Sequence, residues 1–236
     1  MIANPQAITA ALRAGRRVRD SEFDLVYPAD VRRVSARFLT PVDVAITAAR
    51  WLKARRCKSV LDVGSGSGKL SIVANLATGC RITGLEQRAH LLETARAAAA
   101  TYGAEVEYLH GTLETTDTRP FDAFYLYNPF GENLYAPDEQ FDHEAELSAL
   151  RWTHDVSIVE HLLDQAPLHT CLVTFHGFGG RIPSNYELVH SRERDSGPLR
   201  LWTKTQDGPA ATFVLENALR EHSDKPAAAK LSAAKR

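Results

Sequence analysis

The residues best suited to chemistry form a glycine-rich loop with an acid on either side. The loop is Gly64-Ser65-Gly66-Ser67-Gly68; Asp62 stands just before it and Glu86 follows it. Residues 59–63 and 81–86 have the apolar character of buried strands, and residues 69–78 that of a helix. This order predicts a nucleotide-type site at the carboxyl ends of a doubly wound α/β sheet. Glu86 is spaced to accept hydrogen bonds from ribose hydroxyls.

The glycine spacing separates two classes of cofactor. A dinucleotide fingerprint, Gly-x-Gly-x-x-Gly, seats a pyrophosphate on a helix N-terminus, whereas here the third glycine comes one residue earlier. With Asp62 before it, the loop resembles motif I of the class I S-adenosylmethionine (SAM) dependent methyltransferases. The resemblance implies that SAM is the cofactor. The residues it implies for the cofactor site are Asp62, Gly64, Ser65, Gly66, Gly68, Glu86 and Gln87.

Asn128-Pro129-Phe130 closes the fourth predicted strand. It resembles the Asn/Asp-Pro-Pro-Tyr/Phe motif of methyltransferases that act on planar amino or amide nitrogens, with one proline missing. In those enzymes the Asn side-chain oxygen and a backbone carbonyl accept hydrogen bonds from the N–H groups of the methyl acceptor, and the aromatic ring stacks on that acceptor. The resemblance implies a catalytic role for all three residues and a place for Asn128 beside the cofactor. The alternative is an Asn-Pro turn that only shapes the pocket.

Three further positions are candidates by their place in the pattern. Thr40-Pro41 looks like the Thr-Pro element that touches the methionine end of SAM in these enzymes, or is an ordinary N-cap before proline. Thr112 and Leu113 stand where the family usually puts an acid against the adenine amino group. Thr112 can accept one hydrogen bond but carries no charge. His176, after the fifth strand, is a candidate general base or a hydrogen-bonded turn residue.

Charge is distributed unevenly along the 236 residues. Residues 1–60 hold twelve Lys or Arg and five acids, a net charge of +7, while residues 104–164 hold two Arg and fourteen acids, a net charge of -12. One explanation for this uneven distribution is that the basic and the acidic segment form two solvated surfaces that attract each other. An acidic rim that favours a neutral or cationic acceptor is the alternative.

The patterns of cysteine, histidine and apolar residues indicate the cellular compartment and the kinds of site to expect. Cys57, Cys80 and Cys171 form no Cys-x-x-Cys pair, so we expect free thiols in a reducing, cytoplasmic compartment. The histidines show no metal spacing, so we expect no metal site. No apolar run approaches the roughly 18 residues of a membrane helix, and no signal peptide is expected at the N-terminus.

The chain is predicted to hold three regions. Residues 1–38 form an N-terminal helical cap, residues 39–215 a Rossmann-like SAM-binding domain, and residues 216–236 a flexible tail. Helices are expected at 5–15, 28–37, 41–55, 69–78, 88–102 and 144–164. The resemblance, which covers about residues 38–205, implies a mostly parallel seven-stranded sheet in the order 3-2-1-4-5-7-6, with residues 186–191 and 199–204 as its antiparallel hairpin.

The function that follows is methyl transfer from SAM to an acceptor, most simply a nitrogen of a protein or small molecule. A nucleic-acid acceptor is the second possibility, supported by the basic N-terminal segment and opposed by the acidic stretch. A SAM-binding scaffold without turnover and a dehydrogenase are the other classes. The sequence leaves the acceptor and the oligomeric state undetermined.

Overall fold

A central sheet of seven strands lies between helices in the computed structural model, which describes residues 4–194 and 197–215. The helices are α1 (Pro5–Arg13), α2 (Asp20–Phe23), α3 (Ala29–Phe38), α4 (Val42–Ala54), α5 (Lys69–Thr78), α6 (Ala89–Tyr102) and α7 (Ala149–Gln165). The strands are β1 (Val60–Val63), β2 (Ile82–Glu86), β3 (Glu107–His110), β4 (Ala123–Tyr127), β5 (Cys171–Phe175), β6 (Arg181–Pro183), β7 (Tyr186–Arg192), β8 (Leu199–Lys204) and β9 (Phe213–Leu215).

The sheet order is β3-β2-β1-β4-β5-β8-β7. The first five strands are parallel; β8 is antiparallel to β5 and to β7. This confirms the predicted order, because the unpredicted strand β6 lies outside the sheet and shifts the later labels by one. β6 pairs instead with β9 in a separate two-stranded sheet.

Burial on both faces of the sheet explains why its central strands read as continuous apolar runs. All residues of β1, β5 and β8 are buried. One core forms between the sheet and the helices α1, α4, α5 and α6, and a second forms under α7. The parallel strands therefore all end at one edge, where the glycine loop follows β1.

The differences from the predicted elements are local. Helix α7 begins at Ala149 instead of residue 144, because Ser148 is its N-cap and accepts a hydrogen bond from the N–H of Arg151 through its Oγ. The acidic residues before it lie in a loop with two short 3₁₀ turns, Gly131–Leu134 and Pro137–Glu139. Strands β6 and β9 and helix α2 are too short for a periodic signal. The predicted tail, residues 216–236, lies outside the described residues.

Among the described residues, no helix has the length and apolar character to cross a membrane. In the same part of the chain, no group of three or more His, Cys, Asp or Glu side chains is arranged to hold a metal ion.

Candidate functional site

A deep cleft opens at the carboxyl ends of β1, β2 and β4, where the sequence places the site. Its empty volume, including the space open to solvent at the mouth, is about 1140 Å³. Nine of the predicted site residues line it: Gly64, Gly66, Glu86, Gln87, Thr112, Leu113, Asn128, Pro129 and Phe130. The topology thus gathers residues from four separate loops at one place.

The glycine loop presents bare backbone to this cleft. Gly66 has φ +54°, in the left-handed region that favours glycine, and an added Cβ would meet no atom within 4 Å. Its N–H donates to Glu86 Oε2 at 3.0 Å. A side chain at position 66 would therefore project into space that the cleft keeps open for a ligand.

Glu86 holds the loop as well as lining the cleft. Its Oε1 accepts a hydrogen bond from the N–H of Arg88 at 2.9 Å, while Oε2 holds Gly66. Burial raises the pKa of Glu86, and the backbone donors and the Arg88 charge act against that rise. A carboxylate can accept about four hydrogen bonds, so hydroxyl groups of a ligand can still donate to Glu86.

Asp62 lies behind the loop instead of in its wall. It is 4% exposed, and it makes no side-chain hydrogen bond within residues 4–194 and 197–215. Burial, with a further contribution from the nearby Glu86 charge, raises its pKa to about 8. Asp62 is thus mostly a neutral acid at pH 7, close beneath the backbone that forms the site.

Ser67 is a site residue that the sequence pattern did not single out. Ser67 lines the cleft and is 1% exposed. Its hydroxyl interacts with the buried Tyr27 hydroxyl, and this interaction acts against the rise that burial causes in the pKa of Tyr27.

Asn128 holds a backbone conformation that few residues adopt. Its φ is +38°; its N–H donates to the Gly177 carbonyl at 2.9 Å, and its own carbonyl accepts from the Gly131 N–H at 3.1 Å. These two bonds fix the sharp turn after β4. The Asn128 side-chain amide lies against Gly131, lines the cleft and makes no hydrogen bond to the described residues. Its oxygen and amide protons are therefore available to a ligand.

The other predicted site residues lie outside the cleft wall. Thr40 is buried, and its hydroxyl is 3.1 Å from that of Tyr125. Gly68 is the N-cap of α5 and lies against the ring of Tyr108, and the buried Ser65 hydroxyl lies beside Gly84. His176 is exposed, and its ring stacks on Tyr127 at 5.6 Å.

The wall facing the glycine loop comes from two distant segments. These are the end of α3 and a segment that we call the cover, residues 131–148. They place aromatic rings together: the centre of the Phe38 ring lies 5.7 Å from that of Phe141 and 6.3 Å from that of Tyr135. Tyr127 lines the same wall and donates to the Arg37 carbonyl at 3.1 Å. These contacts join residues up to 103 positions apart, which is why no local pattern reveals them.

The charges in the cleft are largely paired with one another. Arg88 contacts Glu132 at 3.0 Å and Asp142 at 2.9 Å, and Arg151 contacts Asp155 at 2.9 Å. Arg37 lies over the Tyr135 ring, 4.2 Å from its centre, and 4.0 Å from Glu139. The cover itself holds six acids and no Lys or Arg. The cover is therefore acidic in composition, and three of its acids, Glu132, Glu139 and Asp142, lie against Arg88 or Arg37.

Comparison with known proteins identifies this arrangement. A family model described as a methyltransferase domain matches residues 60–154, from β1 into α7. A search of curated protein sequences gives no match.

Solved structures share the fold at low sequence identity. A putative O-methyltransferase from Klebsiella pneumoniae is 14% identical, with a TM-score of 0.52 over 85% of this chain and 97% of that one. A putative class I SAM-dependent methyltransferase from Listeria monocytogenes is 13% identical, with a TM-score of 0.50 over 89% and 84%. An RNA methyltransferase from Salinibacter ruber in complex with S-adenosylhomocysteine is 19% identical, with a TM-score of 0.47 over 71% and 92%.

The family match covers the strands β1, β2, β3 and β4 and the loops after them, and the glycine loop and Glu86 fit a polar nucleoside cofactor there. Residues 60–154 therefore match a methyltransferase domain, and the chain has the fold of class I SAM-dependent methyltransferases.

Proposed function

We propose that the protein methylates a nitrogen attached to a planar group, carried by a small molecule or by a protein side chain. The observation that supports this most directly is the Asn128 amide, which lines the cleft without a hydrogen bond to the described residues. Phe130 lines the cleft two residues later. An amide oxygen beside an aromatic ring is suited to hold a planar N–H group.

In this proposal the chain's contribution is mainly positioning. SAM supplies an electrophilic methyl group on a sulfonium. The Asn128 side-chain oxygen accepts a hydrogen bond from the N–H group of the acceptor. This orients the nitrogen lone pair toward that methyl group. As the N–C bond forms, the C–S bond breaks, S-adenosylhomocysteine leaves, and the surplus proton on nitrogen passes to solvent. Orientation of this kind can account for roughly 7–11 kcal/mol of barrier lowering, so no strong base is required.

The surroundings of the cleft support an acceptor without phosphates. Three rings, Phe38, Tyr135 and Phe141, form an apolar wall for a planar group. The cover, residues 131–148, holds six acids and no Lys or Arg, and this net negative charge disfavours polyanions nearby. A neutral or cationic acceptor fits both features.

A nucleic acid is the second candidate, supported by one specific observation. The cap exposes a series of arginines whose last member lines the cleft: Arg13, Arg16, Arg17, Arg19, Arg32, Arg33 and Arg37. Exposed cations can contact phosphates beside a site. The acidic cover on the opposite side of the mouth favours the first proposal.

The test is transfer of tritium from methyl-labelled SAM to a cell extract separated into protein, nucleic-acid and small-molecule fractions. We expect label in the small-molecule or protein fraction, with the labelled atom identified as nitrogen. Gly66→Val is the control without cofactor binding. Label confined to the nucleic-acid fraction would refute a small-molecule or protein acceptor. Label on oxygen or carbon would refute nitrogen as the methylated atom.

Asn128→Ala tests the role of the amide once an acceptor is found. We expect single-turnover rates to fall about 100-fold or more, because orientation of the reacting nitrogen is lost. SAM affinity should change less than about tenfold, because the loop and Glu86 remain. Asn128→Asp, which keeps an oxygen, is the matched variant. Full activity in Asn128→Ala would contradict a role of the amide in orienting the acceptor and would leave this turn with a structural role only.

A further inference from the structure

Lys69 places a cation where a helix disfavours one. It is the first residue of α5, directly after the glycine loop, and it is 2% exposed. Helix N-termini carry partial positive charge, and a buried ammonium loses its hydration, so both effects oppose a lysine there. Neighbouring carboxylates must offset them.

Two aspartates of the N-terminal cap supply these carboxylates. Lys69 Nζ lies 2.7 Å from Asp20 Oδ1 and 2.6 Å from Asp24 Oδ1. Its charge also lies 5.8 Å from the centre of the Phe23 ring. The side chain thus extends from the cofactor loop into the cap and ends between α2 and the turn that follows it.

The same two aspartates fix the elements around them. Asp24 Oδ2 accepts a hydrogen bond from Ser35 Oγ on α3, and Asp20 Oδ1 accepts one from the N–H of Val42, the first residue of α4. Helix α3 ends at Phe38, which with Arg37 and Leu39 lines the cleft opposite the loop. One cluster of three charges therefore connects both walls of the cofactor cleft.

We propose that Lys69 is a positioning residue for cofactor binding, which holds the N-terminal cap and the glycine loop in register so that the cap closes one side of the SAM site. Cap docking and cofactor binding then stabilise each other, as thermodynamic linkage requires. The proposal concerns the cofactor alone, so it stands or falls independently of the acceptor.

Removing all three charges together tests the proposal without leaving a buried carboxylate unpaired. The variant is K69M/D20N/D24N, and the ligand is S-adenosylhomocysteine, measured by calorimetry. If the docked cap is populated only one tenth of the time in the variant, the apparent dissociation constant rises about tenfold. We expect a rise of about tenfold or more in a protein whose circular dichroism is native.

Lys53→Met is the matched control. Lys53 bonds the Thr78 carbonyl at the opposite end of α5, far from the loop. It should leave the dissociation constant unchanged. A folded triple variant that binds S-adenosylhomocysteine as tightly as wild type overturns the proposal.

Hydrogen exchange on the wild-type protein gives a readout that does not depend on the variant folding. Amides of α2 and α3 should exchange more slowly when S-adenosylhomocysteine is bound. D20N is the milder variant, because the Asp20 side chain is 49% exposed; it should raise the dissociation constant several-fold. Unchanged exchange rates of the α2 and α3 amides on ligand binding would contradict the coupling. A D20N variant with wild-type affinity for S-adenosylhomocysteine would also contradict it.

Discussion

Asp62→Asn should make the protein more stable at alkaline pH. Asp62 lies in the centre of the sheet on β1, and among the described residues no cation pairs with it. Burial and the Glu86 charge raise its pKa from 3.8 to about 8. Asparagine has nearly the same shape as the protonated acid and never ionises, so the substitution removes the titration and keeps the packing.

The sign and size of the effect follow from proton linkage. Between the unfolded pKa of 3.8 and the folded pKa of about 8, the folded state holds a proton that the unfolded state has released. The contribution of Asp62 to stability is therefore complete below pH 4 and is lost as the pH rises to 8. Each pH unit inside this window lowers the free energy of unfolding by about 1.4 kcal/mol. From pH 5 to pH 7 the wild type should lose about 2–3 kcal/mol that the variant keeps.

Urea unfolding of both proteins at pH 5, 7 and 8.5 measures this difference. Histidines titrate in the same range, but they are common to both proteins and cancel in the comparison. Asp117→Asn is the control: the Arg119 partner holds the pKa of Asp117 at about 2, so its window lies below pH 4. A variant whose stability follows pH with the wild-type slope between 5 and 7 would refute the buried-acid reasoning.

Three further predictions concern the glycine loop, Glu86 and the end of β8. Glu86→Ala should weaken SAM binding about 10- to 150-fold, since a carboxylate bonded to hydroxyls contributes about 1.5–3 kcal/mol; calorimetry with unchanged affinity would remove Glu86 from the site. Gly66→Ala and Gly79→Ala impose similar backbone strain, at φ +54° and +69° with open space around each added Cβ, but only position 66 faces the cleft. Both should lose about 1–2 kcal/mol of stability, and only Gly66→Ala should also lose SAM affinity; equal affinities would place the loop elsewhere. Lys204→Met should destabilise the fold by about 2–4 kcal/mol, because its buried ammonium donates to the carbonyls of Asp164 and Ala166 at the end of α7; thermal unfolding within a degree of wild type would contradict this.

The cofactor half of the site could be predicted from sequence because its determinants are local. The loop, α5 and the end of β2 occupy one continuous stretch, and Gly66 bonds Glu86 across only twenty positions. Strand, turn and helix each leave a periodic or glycine signal on that scale. The order of the sheet was implied by the resemblance to class I methyltransferases, and the structure confirms it.

The opposite wall could not be predicted, because its contacts are made between segments far apart in the chain. Arg88 finds Glu132 and Asp142 across 44 and 54 positions. Neither acid differs in sequence from its neighbours in the cover, where acids are frequent. No local pattern distinguishes Lys69 at the start of α5, and only its contacts with Asp20 and Asp24 give it a role.

The pairing of charges in the cleft bears on what the acceptor must be. Arg88 and Arg151 already contact carboxylates within 3.0 Å, so neither offers a free charge to an anionic acceptor. For an acceptor with its own negative charge, the remaining cation among the described cleft residues is Arg37, which lies 4.0 Å from Glu139. A neutral planar amine requires no cationic partner, and the rings of Phe38 and Phe141 offer it apolar contact. The electrostatics therefore favour the same acceptor as the Asn128 amide, although the two features arise from different segments of the chain.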